Sequence, residues 1–226
     1  MAMRIDRRAV PVPRDKAERG STVSAPAFLG ARKAVPAIFL DKDGTVLQDV
    51  PYNVDPAQMM FAPGAREGIE RLARLRLPLI VVTNQPGIAL RKFDFKALAG
   101  MKQRLRQMFQ EAGAALDGIY VCPHHPDGSL AAYARSCACR KPAPGLLLAA
   151  ARQHHIDLPR SWFIGDILDD VEAGRRAGCR TVLIDNGNET EWIMNARRRP
   201  DHCVADLAEA GRFLVEWIGE SEEALP

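Results

Sequence analysis

No apolar run in the sequence approaches the ~20 residues that a membrane-spanning helix needs, so no membrane segment is expected. Charge of one sign is equally scarce. Lys and Arg number 31 against 28 Asp and Glu, a formal net charge of +3, which is too small to argue for nucleic acid as a partner. Met1 to Gly20 lacks the apolar core of a secretory signal and is broken by Pro11, Pro13 and charges. There is no internal repeat and no low-complexity tract. These absences point to a cytoplasmic protein of ordinary composition, 47% hydrophobic and 26% charged over 226 residues. That length suits one domain with a sizeable core and a small cap or insertion, expected as a monomer. Cysteine is sparse and unevenly placed: three of the five fall between Cys122 and Cys139. In a reducing compartment that clustering favours metal binding over disulfides.

Residues 1–34 carry Arg4, Arg7, Arg8, Arg14, Lys16, Arg19, Arg32 and Lys33 with little apolar periodicity. They read as a flexible basic arm, and residues 35–226 as the folded domain. That domain is organised around Ala37 to Val46, AIFLDKDGTV. A short apolar run bounded by a turn signal reads as a buried parallel strand. It ends at Asp41, with Asp43 two positions on, and ligands of open α/β sheets bind at the carboxyl ends of strands. The two acids are close enough to share a metal ion, although Asp-Gly is also ordinary turn chemistry.

Further strands follow in the same style. Pro78 to Val82 ends in Thr83-Asn84-Gln85-Pro86-Gly87-Ile88, where a hydroxyl and turn N–H groups could meet a phosphate. Gly118 to Val121 leads into Cys122. Ser161 to Ile164 ends in Gly165-Asp166-Ile167-Leu168-Asp169-Asp170, and Thr181 to Ile184 is a fifth run. Helical spacing appears over 65–77, 94–112, 143–155 and 171–177, with a closing helix after Asp206. The stretch Leu47 to Ala62, with two prolines and no helical stripe, reads as a loop over the site. The alternation of strand and helix predicts an α/β fold with a parallel sheet.

Cys122-x-His124 and Cys137-x-Cys139 form the most specific metal signal. Three thiolates and an imidazole are a tetrahedral Zn²⁺ set with no open position, hence a structural site. His125 could serve in place of His124. The Pro-, His-, Asp- and Ser-rich segment 123–136 offers a buried thiol cluster nothing to pack against, so a metal clip would substitute for a core. Cys179 and Cys203, in or beside apolar runs, read as plain core residues.

Taken in order, Asp41-Lys42-Asp43-Gly44-Thr45, the strand ending at Thr83, Lys141 after the cysteine loop, and Gly165-Asp166-x-x-x-Asp170 resemble the four motifs of the haloacid dehalogenase superfamily of phosphotransferases. T-N-Q-x-G-I and C-P-H-H followed by C-x-C resemble its heptose-bisphosphate and histidinol-phosphate phosphatase subgroup. The resemblance implies a Rossmann-like sheet with helices on both faces, a minimal cap and a zinc loop at 122–139 ligated through His124. It assigns Asp41 as nucleophile, Asp43 as general acid/base, and Thr83 and Lys141 to the phosphoryl oxygens. Asp170 would orient Lys141. Mg²⁺ would be held by Asp41, the Asp43 backbone carbonyl and Asp166. Substrate contact falls to Asn84, Gln85, Arg91 and Arg140.

The implied reaction is loss of the C7 phosphate from D-glycero-D-manno-heptose 1,7-bisphosphate, on the route to ADP-heptose and lipopolysaccharide. Other readings are a phosphatase for histidinol phosphate or another small sugar phosphate, and a non-catalytic zinc-stabilised binding protein. Three positions depart from the family pattern. Leu90-Arg91 stands for Arg-Gly, which leaves Arg91 and Lys92 as candidates to serve for the displaced cation. Pro86 replaces the usual Ser, and Ile167 a frequent Lys.

Overall fold

The computed structural model describes residues 33–223. The basic arm expected over 1–34 lies, apart from its last two residues, outside the described residues.

Six parallel strands form one sheet in the order β3-β2-β1-β4-β5-β6. They are β1 (Ile38–Leu40), β2 (Leu79–Asn84), β3 (Gly118–Cys122), β4 (Trp162–Gly165), β5 (Arg180–Ile184) and β6 (His202–Val204). In β1 every residue is buried, because Phe39 lies between Ile80 of β2 and Phe163 of β4. A strand covered on both faces has no polar side, which is why Ile38-Phe39-Leu40 reads as an unbroken apolar run.

Alternate side chains divide between two cores. Ile38, Leu40, Val81 and Ile164 pack with Ile69 and Leu72 of α1 (Ala65–Ala73), Met101 and Leu105 of α2 (Phe95–Glu111) and Leu214 of α5 (Leu207–Glu223). Phe39, Ile80, Val82 and Phe163 face Leu146, Leu147 and Ala150 of α3 (Gly145–His154) and Ala173 of α4 (Leu168–Ala177). Each such fully buried Leu, Ile or Phe contributes roughly 1.5–3 kcal/mol. The Asp94 carboxylate caps α2 by accepting from the Ala97 N–H at 2.8 Å. No described helix is long and apolar enough to cross a membrane.

The fold is the expected α/β sheet with helices on both faces, and among the described residues no second sheet or cap domain overlies it. Three details differ from the sequence reading. The first predicted helix stops at Ala73: Arg76 adopts φ +53° and turns the chain before Pro78, while Leu75 and Leu77 still rest on the core. The edge strand β6 has only three residues and follows no period. Cys203 lies on that edge strand and is exposed, whereas Cys179 is buried as expected. The order of the strands reverses at β1, flanked by β2 on one side and β4 on the other. A crevice opens beyond the carboxyl ends of strands at such a point.

Candidate active site

That crevice is a cleft of about 340 Å³ lined by Asp41, Asp43, Thr83, Asn84, Gln85, Arg140, Lys141 and Asp166, among others. The size is within the ordinary range of small-molecule sites. Asp49, Val50, Pro51 and Tyr52 also line it, so the loop expected over the site is there.

Asp41 sits immediately after β1, its N–H bonded to the Ile164 carbonyl of β4 at 2.9 Å. Lys141 projects between two carboxylates, with Nζ 2.6 Å from Asp41 Oδ1 and 2.6 Å from Asp170 Oδ1. Burial would lower the lysine pKa. The carboxylates of Asp170 and Asp41 outweigh it and hold the ammonium charged, above its ordinary range. Asn84 fixes the lysine backbone from both sides: its Nδ2 donates to the Lys141 carbonyl at 3.2 Å and its Oδ1 accepts from the Lys141 N–H at 3.0 Å.

Asp43 is held by two donors. Lys42 Nζ reaches Oδ1 at 2.5 Å and Gln85 Nε2 reaches Oδ2 at 2.8 Å. Burial pushes the Asp43 carboxyl above its ordinary value, against the pull of Lys42, which suits a group that must carry a proton. The same Gln85 Nε2 donates to Thr83 Oγ1 at 3.1 Å. With its oxygen accepting there, Thr83 keeps its O–H free to donate into the cleft.

Asp166, at the end of β4, accepts from Thr45 Oγ1 at 3.0 Å and from Asn188 Nδ2 at 2.8 Å. Burial and the neighbouring Asp41 charge push its pKa up to about 7. Ligand oxygens of Asp41, Asp166 and Asp170 lie within 4.8 Å of one another. Three buried carboxylates share one ammonium there, and an oxygen-only donor set with surplus negative charge fits a hard divalent cation such as Mg²⁺. Gly44 makes the approach possible. It has φ +78°, and a Cβ on it would stand 1.9 Å from Asp166 Oδ2.

The cysteine cluster lies beside the cleft. Cys122, Cys137 and Cys139 place their sulfurs 3.2–3.6 Å apart, and His124 Nδ1 is 3.6 Å from Cys122 Sγ and 3.3 Å from Cys139 Sγ. Bonds of ~2.3 Å from a central ion would hold tetrahedral sulfurs about 3.8 Å apart, so a modest expansion of this cluster accommodates zinc. Burial pushes the Cys122 thiol well above its ordinary value, and a coordinated cation reverses that logic. His125 is not in the cluster. The Arg140 N–H donates to Cys137 Sγ at 3.3 Å, which ties the cluster to the Arg140-Lys141 pair.

The structure thus gathers Asp41, Asp43, Thr83, Asn84, Gln85, Arg140, Lys141, Asp166 and Asp170 at one point. Asn84 and Gln85 spend their hydrogen bonds on protein groups. Arg91 stands apart, lining a surface pocket with Ile88, Lys92 and Phe93, while Lys92 Nζ lies 5.8 Å from the ring of Tyr52 on the cleft wall. Sequence reasoning passed over Lys42, which is fully buried and also donates to the Asn53 carbonyl at 3.2 Å. It also passed over Asn188. Lys42 stood inside the quoted motif, but nothing marked it as buried.

Similarity to known proteins agrees with this arrangement. A family model described as HAD-hydrolase-like matches residues 138–210. The D-glycero-beta-D-manno-heptose-1,7-bisphosphate 7-phosphatase of Yersinia pestis is 36% identical over 187 residues, 79% of this chain and 96% of that protein. Its namesake in Escherichia coli K12 is 37% identical over 187 residues, 79% and 94% of the two chains. The crystal structure of D,D-heptose 1,7-bisphosphate phosphatase from B. bronchiseptica, complexed with magnesium and phosphate, superposes with TM-score 0.70 at 31% identity, over 80% of this chain and 99% of that one. A chain that is identical to such enzymes at more than a third of the aligned positions, along almost their whole length, and gathers an acidic and lysine cluster at its switch point, is a phosphatase and belongs to the HAD-like family of the heptose-1,7-bisphosphate 7-phosphatases.

Proposed function

We propose that the protein removes the C7 phosphate of D-glycero-D-manno-heptose 1,7-bisphosphate through a phosphoryl group carried on Asp41. The observation that carries the reaction is Lys141 Nζ at 2.6 Å from both Asp41 and Asp170. Asp41 is thereby aimed, and the approach of an anionic phosphate is made less costly. The substrate rests on the named relatives and on Arg140. The guanidinium lines the cleft and its buried Nη1 has no protein partner, as suits a donor awaiting a second phosphate or a sugar hydroxyl.

Asp41 attacks phosphorus, and the Asp43 carboxyl delivers its proton to the departing sugar oxygen. Asp43 then takes a proton from the water that hydrolyses the aspartyl-phosphate, one group serving both halves. Lys141 and the Thr83 hydroxyl meet the equatorial oxygens, so the protein contributes positioning and charge. Mg²⁺, held by Asp41, Asp166 and the Asp43 carbonyl, would supply neutralisation of phosphate charge. Zn²⁺ on Cys122, His124, Cys137 and Cys139 would be structural, fixing the turn that presents Arg140 and Lys141. The protein acts as a cytoplasmic monomer.

The test is phosphate release, with Mg²⁺, from β- and α-heptose 1,7-bisphosphates, fructose 1,6-bisphosphate and histidinol phosphate. Preference for a heptose bisphosphate, lost in Asp41→Asn, is the expected result. Preference for histidinol phosphate or another ester would keep the chemistry and remove the substrate. Release from none would overturn the reading in favour of a zinc-stabilised binding protein.

A further inference from the structure

The segment between β5 and β6 is sewn to the acidic corner by three side chains. Asn186 Nδ2 donates to the Gly44 carbonyl at 2.8 Å, in the turn after β1. Asn188 Nδ2 donates to Asp166 Oδ2 at 2.8 Å, at the end of β4. The Leu168 N–H, at the start of α4, donates to Glu189 Oε2 at 2.7 Å. Three consecutive pieces of the site are thus referenced to one loop, and Asn188 alone touches a carboxylate that could face a cation.

We infer that Asn188 is a positioning residue for the divalent cation: its amide fixes the plane of the Asp166 carboxylate and so sets how tightly the acidic corner holds the ion. This rests on the Mg²⁺ reading above. Each carboxylate oxygen offers two lone pairs. Thr45 occupies one on Oδ1 and Asn188 one on Oδ2, so the group cannot rotate, yet one lone pair on each oxygen stays open for a metal. The Asn188 amide occupies space that exists only because residue 44 is glycine: a Cβ there would be 2.4 Å from Asn188 Nδ2 as well as 1.9 Å from Asp166 Oδ2. An amide is also neutral. It orients the carboxylate without the charge that a lysine would bring, and so leaves the negative charge available to the ion. Groups that orient metal ligands in this way typically account for 10–100-fold in metal affinity.

The experiment measures Mn²⁺ binding directly, by the loss of the free-ion electron paramagnetic resonance signal, in full-length protein and without substrate. Asn188→Ala is expected to weaken binding about tenfold. Asn188→Asp, which replaces the donor with a second charge facing Asp166, is expected to alter it differently from Ala, while KM for substrate at saturating Mg²⁺ changes little in Ala. Asn195→Ala is the control within the same loop: the Asn195 side chain accepts from the Arg197 N–H at 2.8 Å, and the variant's Mn²⁺ affinity should equal wild type. Equal Mn²⁺ affinity in wild type and Asn188→Ala would overturn the inference. So would a loss in Asn195→Ala as large as in Asn188→Ala, because the loop as a whole would then be responsible. A wild type that binds no Mn²⁺ would overturn the metal reading itself, and this inference with it.

Discussion

The acidic corner and the cysteine loop lie side by side but are held by different means. At the corner, Asp41, Thr83, Lys141, Asp166 and Asp170 are all buried, and each is fixed to a strand, a helix or a partner side chain. Thr45 and Asp166 meet across 121 residues of sequence, and Asn186 and Gly44 across 142. In the loop, Cys137 and Cys139 are only partly buried, and the contacts that converge on its centre are those among four potential ligand atoms. The geometry of the corner belongs to the sheet, whereas in the loop four potential metal-ligand atoms meet beside the few side chains, such as Leu130 and Tyr133, that rest on the core. A polar loop without its own core needs a clip.

The largest effect expected is from Asp41→Asn, which should abolish turnover while the protein remains folded, checked by phosphate release beside circular dichroism. Lys141→Ala comes next, with kcat reduced on the order of 10²–10³-fold, the magnitude typical of losing one preorganised donor. Both leave the cysteine loop untouched.

Cys139→Ser attacks the comparison from the other side. It should release zinc, measured by metal analysis, lower the unfolding midpoint, and reduce activity through the loosened Arg140-Lys141 turn. Mn²⁺ binding at Asp41 and Asp166 should persist. A variant that lost both metals together would show that the two regions are one unit. Cys203→Ser, at the exposed edge strand, should change neither property.

A smaller effect concerns pH. The Asp166 carboxyl rises from 3.8 to about 7 on folding because of burial and the Asp41 charge. Between those values the folded state binds more protons than the unfolded one, so its contribution to stability falls as pH rises through that window. Without added Mg²⁺, wild type should therefore lose stability relative to Asp166→Asn between about pH 4 and 7. Mg²⁺ should shrink that loss, as followed by urea midpoints.

Much of this was legible in the sequence because both signals are local. Asp41, Asp166 and Thr83 stand where apolar runs end, and the four ligand candidates at 122–139 lie within a single short segment. What was not legible depends on distance. Nothing in the sequence sets Lys42 apart from an exposed lysine, and only packing reveals that it is fully buried against Asp43 and Asn53. Asn188 sits in a polar loop with no motif, and its partner is 22 residues away at another strand end. The edge strand β6 is not legible because three residues carry no period, and for the same reason nothing in the sequence marks Cys203 as exposed.

The account stands most directly on a covalent phosphoryl group at Asp41. Protein quenched in acid during turnover of a heptose bisphosphate, digested and analysed by mass spectrometry, should carry one phosphoryl group on the peptide containing Asp41. Once phosphorylated, Asp43→Asn should lose the phosphoryl group more slowly than wild type, since its hydrolysis lacks a base. A phosphoryl group on another peptide, or turnover at full rate by Asp41→Asn, would contradict the account.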